Sequence, residues 1–513
     1  MSPEALQLAQ PLADAQGDAA SRLQTNGVEW LVDNARTYDA LVRSIAGARK
    51  TVWITQLALD ADCIAYGTDS RHGDVVLMDV LLAAAARGVD VRILLNASLL
   101  LDTAKPLRAF LAARAPSIRL RGVSNFPQLL HAKMVIVDDE DALLVGSPFV
   151  NGYWDDSLHR PVDTRRPKRE LGGRPVHDVS VRVTGEVVHD LSALFAELWN
   201  DVAGGLRAGD VVRRAPAPSE AKSNETLRVA RTSAKGLLAA HPGGHTEILD
   251  ALLDAIACAR SSIYIEHQYL SARPVVEALA AALERTPTLE LIVVLNQNPD
   301  ITAYRQWQND RLRDSGLLAH PRVGLFTLWT TGGAGTPHAL NQVFVHSKVV
   351  TIDDCWATVG SANLDGVSLH SYGDDFSGRV ARRVFRDVRN FDVNIVIDER
   401  GDAELSGVRT LRERLWREHL GPCIGTGDAT EPACALGVWR ERAAANVAAL
   451  DNSANHASVL DSSFVLPYST RSTPADQLRD VGVRLDPRHF DLRFNPGWLE
   501  VHASPNWVRN MFL

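Results

Sequence analysis

His346-Ser347-Lys348-Val349-Val350-Thr351-Ile352-Asp353, followed by Gly360-Ser361-Ala362-Asn363, decides how this chain folds, because it has a counterpart. The counterpart is His131-Ala132-Lys133-Met134-Val135-Ile136-Val137-Asp138, with Gly146-Ser147 downstream. His131 and His346, Lys133 and Lys348, and Asp138 and Asp353 are each separated by 215 residues. In both copies a short apolar run joins the Lys to the Asp, the pattern of a strand buried on both faces. Side chains alternate along a strand, so the His and Lys, two residues apart, share one face. The Asp follows the His at an odd offset and points the other way, so Asp138-Asp139 and Asp353-Asp354 read as the turns that end the strands. A lone His-x-Lys is an ordinary strand-edge pair. Two copies brought together supply a nucleophile, a general acid and two fixed cations, sufficient to cut a phosphodiester without a metal ion.

The repeat extends beyond these motifs. His177-Asp178-Val179-Ser180-Val181 parallels Phe391-Asp392-Val393-Asn394-Ile395, Leu198-Trp199 parallels Leu415-Trp416, and Val52-Trp53-Ile54 parallels Ile263-Tyr264-Ile265. Helical spacing at Asp79 to Arg87 precedes a strand at Val89 to Leu95, and helical spacing at Thr246 to Ala259 leads into the Ile263 strand. Each half reads strand, helix, strands with the His/Lys pair, strand with Asp, then helix. Such alternation implies α/β sheets covered by helices.

The constellation resembles the phospholipase D superfamily, whose signature His-x-Lys-x4-Asp-x6-Gly-Ser-x-Asn occurs in duplicate. The second copy matches from His346 to Asn363. The first has one extra residue between Asp138 and Gly146 and places Phe149 where the Asn is expected, with Asn151 close enough to substitute. Ile263-Tyr264-Ile265-Glu266-His267-Gln268-Tyr269, Pro175-Val176-His177-Asp178-Val179 and Leu415-Trp416-Arg417-Glu418-His419-Leu420-Gly421 resemble further segments of the eukaryotic-type members. The resemblance spans about residues 25 to 425.

It implies two similar phospholipase D-like α/β sandwich domains, each a mixed sheet flanked by helices, in pseudo-twofold arrangement. The expected divisions are a lead-in (1–25), a first domain (26–212), a Pro/Ser-containing linker (213–225), a second domain (226–423) and a C-terminal extension (424–513) packed on the catalytic domains. Among the extension's aromatics, Trp439, Trp498, Trp507, Phe490, Phe494 and Phe512 read as packing anchors. The resemblance makes His131 the nucleophile and His346 the general acid and base. It assigns the non-bridging phosphate oxygens to Lys133 and Lys348, assisted by Ser147, Ser361 and Asn363. Asp138 and Asp353 belong to its catalytic signature, although the strand geometry turns them away. Asp178 and Asp392 occupy positions where the family has a carboxylate hydrogen-bonded to a catalytic histidine, which fixes the tautomer and stabilises the cation.

Composition fits a compact soluble enzyme. Of 513 residues, 46% are hydrophobic and 23% charged, which is ordinary for a globular chain. No apolar stretch approaches the roughly 18 to 20 residues of a membrane span. Met1 to Gly27 lacks the basic start and apolar core of a signal peptide. The five cysteines, Cys63, Cys258, Cys355, Cys423 and Cys434, have no metal-site spacing, and their odd number argues against a disulfide framework. No His/Asp/Glu run offers ligand spacing, so no cofactor is expected. A net charge of −8 weighs against a nucleic-acid partner. Two basic loops, Arg160, Arg165, Arg166, Lys168, Arg169, Arg174 and Arg379, Arg382, Arg383, Arg386, Arg389, are expected to rim the cleft and attract an anionic substrate or membrane surface. The expectation is a monomer, cytoplasmic or peripheral to a membrane, with signal-less export as an effector left open. Its activity would be hydrolysis or transphosphatidylation of a glycerophospholipid such as phosphatidylcholine, giving phosphatidic acid through a phosphohistidine. A cardiolipin-synthase-like phosphatidyltransferase would use the same residues. A nuclease of this family is disfavoured by net charge, and a non-catalytic membrane-binding module by the presence of all four His and Lys residues.

Overall fold

The computed structural model describes residues 21–22, 26–67, 74–97, 101–124, 128–167, 171–201, 210–212, 226–299, 302–332, 337–370, 387–400, 407–421, 435–451 and 463–493. The linker 213–225, Cys423, Cys434, Lys168, Arg169, Arg379, Arg382, Arg383, Arg386 and the aromatics Phe494, Trp498, Trp507 and Phe512 lie outside them.

Two mixed sheets carry the chain. The first has eight strands in the order Ser21–Arg22, Asn26–Val32, Val179–Gly185, Asp141–Leu144, Met134–Val137, Thr51–Thr55, Asp90–Asn96, Arg119–Val123. The second repeats seven of these places in the same order: Leu227–Ser233, Asp392–Asp398, Trp356–Gly360, Lys348–Ile352, Ser262–His267, Glu290–Leu295, Val323–Gly332. The pairing sense repeats as well. The last three strands of each run are parallel, as helical crossovers require, and the others are antiparallel. The His/Lys strands Met134–Val137 and Lys348–Ile352 are central and buried along their whole length, which is why their sequences are continuously apolar rather than alternating.

Helices cover both sheets. Asn34–Gly47 and Leu77–Ala86 bury one apolar face on the outside of the first sheet, as Glu247–Cys258 and Arg273–Arg285 do on the second. Glu186–Asp201 and Gly407–Leu420 lie in a central apolar layer to which both halves contribute, including Trp53, Phe195, Trp199, Tyr264 and Trp416. The two sheets thus share one core, and this brings the ends of their equivalent interior strands together.

Two differences from the sequence reading concern the ends. Ser21–Arg22 pairs antiparallel with Gly27–Val28, so the first sheet begins inside the stretch expected as a lead-in. The C-terminal segment does more than pack on the surface. Ser463–Pro467 pairs antiparallel with Val323–Gly332, and Phe490–Leu492 pairs parallel with His338–Gln342. Trp439, on the helix Ala435–Asp451, is fully buried against Trp416 and Tyr264. Among the described residues no helix is long and apolar enough to cross a membrane.

Candidate active site

The two halves meet through an exchange of backbone hydrogen bonds. The N–H of His346 donates to the carbonyl of His177 at 2.7 Å, and the N–H of His131 donates to the carbonyl of Phe391 at 3.0 Å. His177 and Phe391 are the residues immediately before Asp178 and Asp392. Each histidine is therefore docked beside the carboxylate of the opposite half. Asp392 Oδ1 lies 2.6 Å from His131 Nδ1, and Asp178 Oδ2 lies 2.8 Å from His346 Nδ1. Sequence order would pair each Asp with the histidine of its own half; the fold crosses them.

A carboxylate on Nδ1 holds the imidazole in the tautomer that turns the Nε2 lone pair outward. Lys133 Nζ stands 3.3 Å from His131 Nε2 and donates to the His131 carbonyl at 3.0 Å. Lys348 Nζ donates to the His346 carbonyl in the same way. Both lysines are buried. Burial, reinforced by Lys133, lowers the His131 pKa against the pull of Asp392. Burial and Lys348 push His346 down to about 3. Burial also brings Lys133 down to about 8. For Asp178 and Asp392 burial acts upward, but the facing imidazole and lysine outweigh it and hold both below the usual range. At neutral pH the site holds two neutral imidazoles between two ammonium groups and two carboxylates, so its charge sums to zero.

Several expected residues take other roles. Asp138 and Asp353 are not in the reaction cleft. Asp138 accepts backbone N–H groups of Arg49, Lys50 and Thr51 at 2.6 to 2.8 Å, and Asp353 those of Arg260, Ser261 and Ser262 at 2.8 to 2.9 Å. Each sits in the left-handed region (φ 57° and 52°) at the turn ending its strand. The odd offset from the histidine leaves no other direction. The hydroxyls of Ser147 and Ser361, expected at the phosphate, lie against carboxylates in this structure. Ser361 Oγ donates to Asp392 at 2.8 Å and accepts from Val393 N, while Ser147 Oγ donates to Asp178. A hydroxyl has one proton, and here it orients a carboxylate. Asn151 does not replace the missing Asn of the first motif. Its amide is spent on Ile64 N and Asp62 O, and Phe149 packs in the outer core of the first half. Asn363 Oδ1 is buried without a hydrogen-bond partner among the described residues, so its carboxamide keeps polar capacity.

The described members of the basic loops form no unopposed rim. Arg160 and Arg165 pair with Asp156 and Asp163, Arg166 is buried on Asp155, and Arg389 pairs with Asp387. Arg174 stacks over Phe344. Asp residues pair with Arg160, Arg165, Arg166 and Arg389, whereas Arg174 also donates to the Asn298 carbonyl.

Other contributors were missed. Asn34 Nδ2 donates to Ser147 Oγ at 3.0 Å. Tyr153 meets the His346 ring edge-on at 5.0 Å, and Phe344 stacks near it at 5.9 Å. Phe344 precedes His346 by two residues, the same-face strand spacing that could have flagged it, whereas no spacing ties Asn34 or Tyr153 to the motifs. Gly146 was legible as a motif residue, and its reason is now plain: a Cβ there would lie 2.1 Å from Asp178 Oδ1, so only glycine admits the carboxylate.

Comparison with known proteins identifies the family of this sequence. Residues 41–148 and 252–416, more than half of the chain, match the family described as "Cardiolipin synthase, PLD-like domain". The chain is 22% identical over 508 residues to phospholipase D1 of Schizosaccharomyces pombe, covering 79% of this chain and 36% of that protein, about a third of its length. It is 22% identical over 406 residues to a cardiolipin synthase of Listeria monocytogenes, covering 75% of this chain and 68% of that one. Among solved structures, phosphatidylserine synthase of Haemophilus influenzae aligns with a TM-score of 0.49 at 14% identity, covering 77% of this chain and 87% of that one. With both halves of its sequence matched and two mixed sheets repeating one strand order, the chain belongs to the phospholipase D superfamily.

Proposed function

We propose that the chain is a phospholipase D-type phosphodiesterase that cleaves a glycerophospholipid such as phosphatidylcholine to phosphatidic acid through a phosphohistidine. The observation that carries this is the crossed arrangement, two histidines each fixed through Nδ1 by a carboxylate of the opposite half and each beside a buried lysine. His131 attacks phosphorus through Nε2, forming the P–N bond as the P–O bond to the head group breaks. His346 gives its proton to the departing oxygen. Water, or an alcohol, then attacks phosphorus, His346 takes its proton, and the P–N bond breaks. Lys133, Lys348 and the Asn363 amide hold the non-bridging oxygens as charge moves.

The charge balance explains how His346 can be an acid when its resting pKa is about 3. The empty site is neutral overall. A phosphodiester adds one negative charge, and a proton on His346 restores neutrality. Substrate and proton therefore enter as a pair, and the phosphate raises the His346 pKa by the same field that Lys348 uses to lower it. No metal is needed for this chemistry, because two lysines supply the charge that a cation would.

A second reading, phosphatidyl transfer as in a cardiolipin synthase, is supported by the matched family description and by the Listeria relatives. The intermediate is the same, and only the acceptor differs. Mass spectrometry of products from mixed phospholipids, with and without a primary alcohol, separates the two. Free head group and phosphatidic acid, with phosphatidyl-alcohol when alcohol is added, support the hydrolase. Cardiolipin with free glycerol from phosphatidylglycerol supports the transferase. Intact phospholipids beside cleaved DNA would overturn both.

A further inference from the structure

Three segments that the chemistry above leaves unused, those containing His177, Glu266 and Glu418-His419, converge on one buried place. Asp33 and His159 join them there. Asp33 Oδ1, His159 Nε2, His177 Nδ1 and Glu418 Oε1 all lie within 4.8 Å of one another. The separations are 3.0 Å for His177–Asp33, 3.1 Å for His177–Glu418, 3.2 Å for His159–Glu418, 3.3 Å for His159–His177 and 3.5 Å for His159–Asp33. A tetrahedral ion with N and O ligands at about 2.0–2.1 Å has ligand atoms about 3.3 Å apart. We propose that these four side chains form a closed tetrahedral site for one divalent transition-metal ion, zinc by ligand type, that clamps the two halves together behind Asp178.

Three independent features support the site. First, both histidines present their remaining nitrogen to a carboxylate. His159 Nδ1 lies 3.1 Å from Asp155 Oδ2, and His177 Nε2 lies 2.7 Å from Glu266 Oε1. Those carboxylates are held in turn by Arg166 and by His419 with Tyr264. Such backing carboxylates fix the tautomer that turns a lone pair toward a metal. Second, Asp33 and His159 have positive φ, 67° and 41°. Side chains other than glycine hold this backbone where the surroundings impose it, and ligand clamps are one such place. Third, the charge suits it. Two ring nitrogens and two carboxylate oxygens converge in a largely buried pocket, where two positive charges would balance the carboxylates. Two protons could each go to a carboxylate, from His177 Nδ1 to Asp33 at 3.0 Å and from His159 Nε2 to Glu418 at 3.2 Å, but would leave two imidazolium nitrogens 3.3 Å apart; one divalent ion satisfies all four atoms without that repulsion.

With four protein ligands the site has no open position, so its role is structural. Asp33, His159 and His177 come from the first half and Glu418 from the second. His177 also presents its carbonyl to His346 N–H, so the ion would set the height of His346 above the cleft without touching substrate.

The test reads metal directly and is independent of turnover. Tag-free protein from zinc-replete medium is assayed by elemental mass spectrometry, then denatured in chelator and refolded with Co(II). About one zinc per chain and an intense tetrahedral d–d absorption saturating at one equivalent are expected, with higher melting temperature in the metal-loaded form. His159→Gln and Glu418→Gln should lose the metal, whereas His131→Ala should keep it. Less than a tenth of an ion per chain, with no tetrahedral cobalt spectrum, would overturn the site and leave a network of two imidazolium ions among carboxylates. Full metal in both Gln variants, or an octahedral spectrum, would overturn it equally. Zinc-loaded protein that cleaves no phosphodiester would sink the catalytic reading alone.

Discussion

Replacing Asp392 by Asn removes one charge and little else. Asp392 Oδ1 takes both the His131 Nδ1 contact at 2.6 Å and the Ser361 hydroxyl at 2.8 Å, while Oδ2 has no hydrogen-bond partner among the described residues. The Asn oxygen can keep both contacts with its NH2 in the place of Oδ2. What is lost is the attraction between the carboxylate and the positive charge that grows on His131 as the P–N bond forms. At about 4 Å and an effective dielectric constant of about 20, that attraction is about 4 kcal/mol. Only part of a full charge develops in the transition state, so the expected loss is about 10²- to 10³-fold in the first step. The assay is a burst experiment with a phosphodiester bearing an activated leaving group, which needs no acid. Asp392→Asn should slow the burst itself. Asp178→Asn, which disables His346, should leave the burst within about tenfold of wild type and slow steady-state turnover, since the second step needs the base. The opposite outcome would mean that the two histidines have exchanged roles. If neither variant slows any step more than about fivefold, the crossed carboxylates do not support catalysis and the reasoning fails.

Other outcomes follow from the same geometry. His131→Ala and His346→Ala should each abolish turnover, and the double variant should lose no more than either single one, because the pair acts as a unit; appreciable turnover in a single variant would contradict the two-histidine site. Lys133, lowered by burial to about 8, is cationic below that pH and neutral above it, so kcat/KM should fall as pH rises past about 8. A profile flat to pH 10 would remove Lys133 from phosphate binding. Asp353→Ala should lower the melting temperature by several degrees, since three backbone N–H groups lose their acceptor and alanine is strained at φ 52°. Active-site titration should return an unchanged kcat per folded molecule; a hundredfold loss would restore Asp353 to the catalytic set.

What could be read from the chain depended on how locally each feature is encoded. The His/Lys pairs and the repeated succession of strands and helices were legible because a strand places residues two apart on one face, and because two copies of one pattern reinforce each other. The turn role of Asp138 and Asp353 followed from the same parity. The crossing was not legible. Asp178 and Asp392 sit 47 and 46 residues beyond the histidines of their own halves, yet they bind partners 168 and 261 residues away. Only the shared core, which brings the strand ends of the two halves together, decides between near and far. Hydroxyl orientation was equally hidden, since a Gly-Ser pair reads the same whether the serine proton reaches a phosphate or a carboxylate.

The buried His/carboxylate cluster shows the same limit most sharply. Asp33, His159, His177 and Glu418 are spread over 385 residues, and no two share a helical or strand spacing that would suggest ligands. The expectation of no metal ligands rested on local spacing, and these four residues have none. Two of the cluster's residues, His177 and Glu418, lay in segments picked out by family resemblance, where their chemistry had no assigned use. A buried ionisable residue costs several kcal/mol unless something compensates it. This chain compensates at least four of them in one pocket, one residue from the carboxylate that orients His346. The seam that assembles the reaction centre and the seam that gathers these charges are the same seam. Any variant that loosens one should be read for its effect on the other.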